Sequence, residues 1–396
     1  MSGWVQLMLH PVLPESARRN PLEQCVDWTL LTTALMLLGI GLVMIASASV
    51  GIAERQLGDP GYYLTRQLIY VGMGLTVAWV AWRVPLAVWE RVGPILVIVS
   101  LLLLVMLFIP GLGRTVNGAT RWLLLGPFNL QVSELVKFAM VVYLAGYLVR
   151  RGDAVRTTIG GFLTPMVLVM IFAALLLRQP DFGATVVLLA TALGMMFLGG
   201  VRLWLFGVLV AMALGSMAAL AISSPYRMER LTAFLNPWAD PFNSGFQLTQ
   251  ALIAFGRGEW FGVGLGASVQ KLFYLPEAHT DFVYAVLAEE LGTVGASAVV
   301  LLFVLLVTRI FRIGRHAAEA GMGFAAHVCY GIALWFALQA FINMGVNMGL
   351  LPTKGLTLPL MSYGGSSIVV MCAAIALVLR VSLETPKRGV TQRRAA

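Results

Sequence analysis

Ten long apolar runs constrain this chain more than any other feature. They cover roughly 28–50, 62–82, 86–109, 131–149, 162–178, 182–200, 203–222, 281–310, 323–349 and 364–384. A helix crosses the hydrocarbon core of a bilayer with about 20 mostly apolar residues. Lipid offers backbone N–H and C=O groups no partner, so a spanning segment is a helix or part of a closed barrel. These runs are continuous, whereas barrel strands alternate over about ten residues. Composition points the same way: only 11% of the 396 residues are charged and 59% are hydrophobic, against roughly 25% charged in a soluble domain. The expected fold is an all-α polytopic membrane protein of about ten transmembrane helices.

The connections give orientation and exclude some functions. With the N-terminus inside, sixteen Lys and Arg fall on the cytoplasmic side and ten outside, which favours both termini in the cytoplasm. Residues 1–27 lack an apolar core, so no cleavable signal peptide is expected and the first span is the targeting element. The membrane domain runs over 28–384, followed by a short basic cytoplasmic tail, 385–396. The net charge of +9 is spread between apolar runs without a compact basic patch, so no nucleic-acid partner is expected. Cys25, Cys329 and Cys372 form no CxxC pair, which argues against a disulfide framework or a cysteine zinc site. One long connection, about 223–280, lies outside in this topology and carries Trp238, Trp260 and several prolines. Within it Leu248, Leu252 and Phe255 recur at helical spacing, predicting a short helix on the membrane surface.

Ionisable groups in or beside spans are costly to bury and mark candidate sites. Glu134 and Lys137 lie three residues apart on the fourth span and share a face, either as a self-neutralising pair or as part of a site. Arg178-Gln-Pro-Asp181 closes the fifth span, where Pro180 would break the helix and Asp181 would cap the next one. Glu277, His279, Thr280 and Asp281 precede the eighth span. One of them serves as an N-cap, and four exceed what a cap requires. Glu277, His279 and Asp281 could also be read as metal ligands. Glu289 and Glu290, roughly 12 Å deeper along that helix, are read as packing or relay groups. Gly364-Gly-Ser366-Ser367 is either a Gly-rich turn with a serine cap or a helix start offering N–H groups to an anion. Gly262-Val-Gly264-Leu-Gly266 lacks the strand–helix context and spacing of a dinucleotide loop.

The topology gathers Glu134, Lys137, Asp181, Asp281, Lys354 and the Gly-Gly-Ser-Ser turn, with Arg114, Arg121 and Arg178, near the outer face. Fixed cations beside acids suit an anionic ligand of the phosphate or pyrophosphate class. A buried carboxylate there could act as a general base.

Three stretches now carry a resemblance. Asn236-Pro-Trp-Ala-Asp-Pro-Phe-Asn-Ser-Gly-Phe-Gln247, Leu275-Pro-Glu-Ala-His-Thr-Asp281-Phe and Lys354-Gly…Ser362-Tyr-Gly-Gly-Ser-Ser367 resemble the SEDS family (shape, elongation, division and sporulation), from the first span to the tenth. Pro276-Glu-Ala-His and Thr353-Lys-Gly look like its division branch. The resemblance implies a peptidoglycan glycosyltransferase of the inner membrane at the division septum, polymerising lipid II. Asp281 would match the family's essential acid, and Glu134, Lys137 and Asp181 its polar cavity. Arg121, Lys354, Glu277, His279 and Ser366 join them as expected substrate contacts. The implied partners are a class B penicillin-binding protein transpeptidase, other septal division proteins and membrane lipid. A divalent cation, Mg2+ or Mn2+, is implied by the resemblance alone. A lipid II flippase and a non-catalytic division scaffold are the competing functions.

Overall fold

A computed structural model of the chain describes residues 26–202 except 117–118 and 126–127, positions 204, 207, 208, 211 and 215, and residues 234–386 except 244, 273 and 353–354. Lys354 and most of the expected seventh span, 203–222, therefore lie outside the described residues, as do residues 1–25 and 387–396.

The apolar runs fold as helices: α1 (Trp28–Leu57), α2 (Tyr62–Arg83), α3 (Leu86–Met106), α4 (Val132–Thr157), α5 (Ile159–Arg178) and α6 (Phe182–Leu198), then α7 (Phe246–Gly258), α8 (Val283–Glu319), α9 (Gly323–Asn347) and α10 (Gly365–Glu384). Eight of these are long and apolar enough to cross a membrane, and α6 is a shorter apolar helix of 17 residues. The chain is a multi-pass membrane protein. Local chemistry sets the boundaries. Asp27 caps α1 through its Oδ1, which accepts from the Leu30 N–H at 3.0 Å, and Gly58 ends that helix in the left-handed conformation. The Thr158 side chain accepts from the Gly161 N–H to start α5. α4 is buried almost all round over residues 132–148 and touches α3, α5, α6 and α9. α2 lies along α10, and α8 along α9 and α1.

One element departs from an all-helical expectation. Residues 113–131 form a three-stranded antiparallel sheet in the order β1 (Gly113–Val116), β2 (Ala119–Leu125), β3 (Phe128–Gln131). Its register pairs Arg114 with Trp122 and Trp122 with Gln131. β3 runs directly into α4, so Gln131 ends the sheet and Glu134 falls in the first helical turn. α7 is the helix expected in the long connection, and it packs against α8.

Side-chain contacts sort the polar residues to two ends. At one end Arg309 pairs with Asp27 at 2.9 Å, Glu384 accepts from the Leu86 N–H, and Arg380 donates to the Trp82 carbonyl. At the other, Tyr63 meets His279 and Tyr363, Arg121 donates to the Pro180 carbonyl, and Ser366 meets β3. The candidate residues named from the sequence and described here belong to the second end.

Candidate active site at one end of the helix bundle

Asp281 stands two residues before α8 and is held there by its backbone. Its carbonyl accepts from Asn343 Nδ2 and Asn347 Nδ2, each at 2.9 Å. Asn347 Oδ1 in turn accepts from the Ala285 N–H, so α9 caps the first turn of α8 and neither Asp281 nor Thr280 does. Thr280 Oγ1 donates to Glu277 instead. That corrects the N-cap reading and leaves the Asp281 carboxyl for other work.

The carboxyl faces Gly355, where an added Cβ would come within 2.8 Å of Asp281 Oδ2. Burial pushes its pKa up to about 7, with Glu277 and then Asp181 adding to the rise and Arg121 opposing it. Sequence-distant groups from β2, from the start of α6 and from the segment before α8 are thereby brought together. Arg121 is half-buried, and its Nε has no partner among the described residues. Asp181 caps α6 through Oδ1, which accepts from the Ala184 N–H at 3.3 Å, as its sequence position predicts. Its buried Oδ2 has no partner among the described residues.

A second cluster adjoins through α9. Lys137 Nζ donates to Glu134 Oε1 at 2.8 Å and to Gln339 Oε1 at 2.7 Å, and lies 5.3 Å from the Trp335 ring centroid. Lys137 and Glu134 are 2% and 3% exposed, so this is a buried pair. Gln339 Nε2 donates to the Thr357 carbonyl and Asn343 Nδ2 to the Leu356 carbonyl. Gln339 and Asn343, four apart on one helix face, thus hold the loop that packs on Asp281. A continuous polar chain links Glu134 and Lys137 to Asp281.

His279 is buried among Tyr63 and Tyr363, with ring centroids 4.5 and 5.5 Å away, and its Nδ1 has no partner among the described residues. Burial lowers its pKa against the opposing pull of Glu277, so it stands neutral at pH 7. Ser366 is committed to the framework: its hydroxyl accepts from the Gln131 N–H at 2.8 Å and donates to the Asn129 carbonyl at 2.9 Å. Both bonds tie α10 to β3. No three His, Cys, Asp or Glu side chains converge as a metal site among the described residues, so Glu277, His279 and Asp281 do not form the ligand set considered from the sequence.

The sequence reading passed over Gln339, Asn343, Asn347 and Gly355. A signal was present for the first three. They recur every four residues in an otherwise apolar span, and uncharged amides inside a membrane helix need partners as charges do.

Residues 28–387 match the model of the FtsW/RodA/SpoVE family, described as cell cycle proteins. The chain belongs to this family. Among family members, the probable peptidoglycan glycosyltransferase FtsW of Nitrosococcus halophilus is 61% identical over 93% of this chain and 95% of its own. The protein of the same name in Coxiella burnetii is 56% identical over 93% of this chain and 99% of its own. A solved chain described as "Structural coordination of polymerization and crosslinking by a peptidoglycan synthase complex" superposes with a TM-score of 0.73 at 31% identity, over 90% of this chain and 98% of that one. The rod shape determining protein RodA of Thermus thermophilus gives 0.68 at 28% identity, over 93% of this chain and all of its own. The SEDS family membership expected from the motifs around Asp281 is therefore established over nearly the whole chain.

Proposed function

We propose that this chain polymerises lipid II into glycan strands at the division septum, with Asp281 as the general base. The observation that carries the reading is the Asp281 carboxyl. It is half-buried beside Gly355, and Arg121, Asp181 and Glu277 act on it while burial raises its pKa to about 7. A base whose pKa lies near the working pH combines sufficient ionisation with sufficient proton affinity. Asp281 would take the proton from the acceptor sugar hydroxyl of one lipid II. That oxygen attacks the anomeric carbon of the growing strand, and polyprenyl pyrophosphate leaves. An α-linked donor and a β-linked product require one inverting displacement, for which a single base suffices. Arg121, Lys137 and Lys354 would meet the developing negative charge. Mg2+ commonly binds through one or two carboxylates plus substrate phosphates. A divalent cation would be held in that way between a carboxylate such as Asp281 or Asp181 and the substrate pyrophosphate, and would supply positive charge to the leaving group.

The relatives' name and the synthase-complex likeness support a septal setting with a class B transpeptidase as partner. Both termini would face the cytoplasm. The test is polymerisation of lipid II by purified protein, with and without that transpeptidase. A flippase, which a buried Glu134–Lys137 pair would also suit, makes no polymer, and neither does a scaffold.

A further inference from the structure

α8 is two helical pieces joined across a kink. It breaks at Gly292, whose φ is +67°. In an unbroken helix the Thr293 and Val294 N–H groups would donate to the Glu289 and Glu290 carbonyls. Here they donate to the Glu259 and Trp260 carbonyls, at 2.9 and 3.1 Å. The Glu289 and Glu290 carbonyls accept instead from the Val263 and Gly264 N–H groups, at 2.9 and 3.1 Å. The segment 259–264 thus replaces the two helical bonds lost at the break, like a splint inserted into the helix. Only glycine permits the approach: a Cβ on Gly262 would meet the Glu290 carbonyl oxygen at 2.2 Å, and one on Gly292 the Gly262 nitrogen at 2.4 Å. Gly262, the first glycine of the run 262–266, has its explanation here.

The two glutamate side chains fasten the rest of the loop. Glu289 accepts from Ser268 Oγ and from the Val269 and Gln270 N–H groups, with Arg257 at 3.6 Å. Glu290 pairs with Lys271 Nζ at 2.7 Å and accepts from Ser47 Oγ on α1 at 2.6 Å. Lys271 Nζ also donates to Ser47 Oγ, at 2.8 Å. Both carboxylates are fully buried. Buried ionic groups of this kind are costly, and removing them for apolar residues is often neutral for stability. Their place therefore calls for a role besides stability. The short helical piece 283–291 is anchored by this splint at one end and carries Asp281 just beyond the other.

We propose that the splint 259–264 and the Ser47–Lys271–Glu290 lock are positioning elements for glycosyl transfer, setting where the half-helix 283–291 presents Asp281 to the substrate. This rests on the role proposed above for Asp281. The lock touches no reacting atom and acts through nine residues of helix. A small tilt of that piece would move the carboxyl relative to Glu277 on its own segment, Arg121 on β2 and Asp181 at the start of α6, all of which bear on its ionisation. Asn343 and Asn347 of α9, the other side chains holding it, are neutral.

The test is the double variant Glu290→Gln with Lys271→Met, which removes both charges together and leaves no unpaired ion. Initial polymerisation rates on lipid II are measured against substrate concentration and pH, beside wild type and Asp281→Asn. The expected result is a kcat lowered about tenfold, as a misplacement of about 1 Å can cause, with KM within about twofold. The midpoint of the acid limb should move by about half a pH unit or more, a readout that loss of stability alone would not give. Lys271→Arg, keeping the charge and donors, should restore most of the rate. A folded double variant with wild-type kcat and midpoint overturns the proposal. Should it not fold, Ser47→Ala takes its place, removing one hydroxyl of the lock, and an unchanged kcat and midpoint overturn the proposal equally. If Asp281→Asn polymerises normally, the role of Asp281 fails first; if it is inactive while the lock variants behave as wild type, only the positioning proposal fails.

Discussion

Replacing Lys137 by Met should destabilise the protein far more than replacing Lys137 and Glu134 together. In the native protein the ammonium holds Glu134 at 2.8 Å and Gln339 at 2.7 Å, and stands 5.3 Å from the Trp335 ring centroid. Glu134 Oε2 already has no partner among the described residues. Without Lys137 the whole carboxylate is buried and uncompensated, and breaking one half of a buried pair costs about 3–5 kcal/mol. Gln339 keeps the Trp335 indole N–H as donor, so its oxygen is not orphaned. In Glu134→Gln with Lys137→Met the charge problem disappears. What remains is the lost bond to Gln339 and the cation–π contact, together about 1–2 kcal/mol. The double variant should therefore be roughly 2–3 kcal/mol more stable than Lys137→Met alone. Equilibrium unfolding in detergent, followed by tryptophan fluorescence, measures it. The double variant should regain stability without regaining polymerisation, because the cation is gone. Equal instability of single and double variants would refute the pairing argument.

The Asp281 carboxyl gives three further expectations. Polymerisation should rise with pH through a midpoint near 7, the rate at pH 6 being about one-tenth of the plateau, because only the ionised form accepts a proton; Arg121→Gln removes a cation that lowers this pKa and should carry the limb to higher pH. The raised folded-state pKa has the opposite sign for stability. The native state binds the extra proton between pH 3.8 and about 7, so stability from this group is complete below 3.8 and lost as pH rises to 7. Asp281→Asn should consequently unfold at higher denaturant than wild type at pH 8, with a ceiling of about 4 kcal/mol, and the two should converge at pH 4. Gly355→Ala places a methyl 2.8 Å from Asp281 Oδ2 and should lower kcat about 10- to 100-fold with expression retained, measured on the same substrate.

The helices were legible because a membrane span announces itself by uninterrupted apolar length, a local property. The Glu134–Lys137 pair was legible for the same reason, its spacing of three putting both groups on one helix face. Asp281 stood out as one acid too many for a cap. The sheet over 113–131 was not visible: its strands are short, and Arg121-Trp-Leu-Leu-Leu lacks the alternation of a half-buried strand. The bonds of Ser366 to β3 were not legible because its partners, Gln131 and Asn129, lie some 235 residues away. The splint was hidden for a related reason. Nothing in Glu289-Glu290-Leu-Gly292 announces a helix break, and the replacement donors come from a loop about 26 residues earlier. Gln339, Asn343 and Asn347 carry a readable signal, amides at intervals of four in an otherwise apolar span, but uncharged amides stand out less than charges in such a span.

The central claim is that Asp281 is the base for glycan polymerisation, and Asp281→Asn tests it most directly. The amide is isosteric and keeps the backbone carbonyl that Asn343 and Asn347 hold, but it cannot accept a proton at working pH. The measurement is glycan product formed from purified lipid II by the folded variant in detergent, across pH 6 to 8, beside wild type. The account predicts no polymer from the variant at any pH and a wild-type rate that climbs through about 7. Near-normal polymerisation by Asp281→Asn would contradict it.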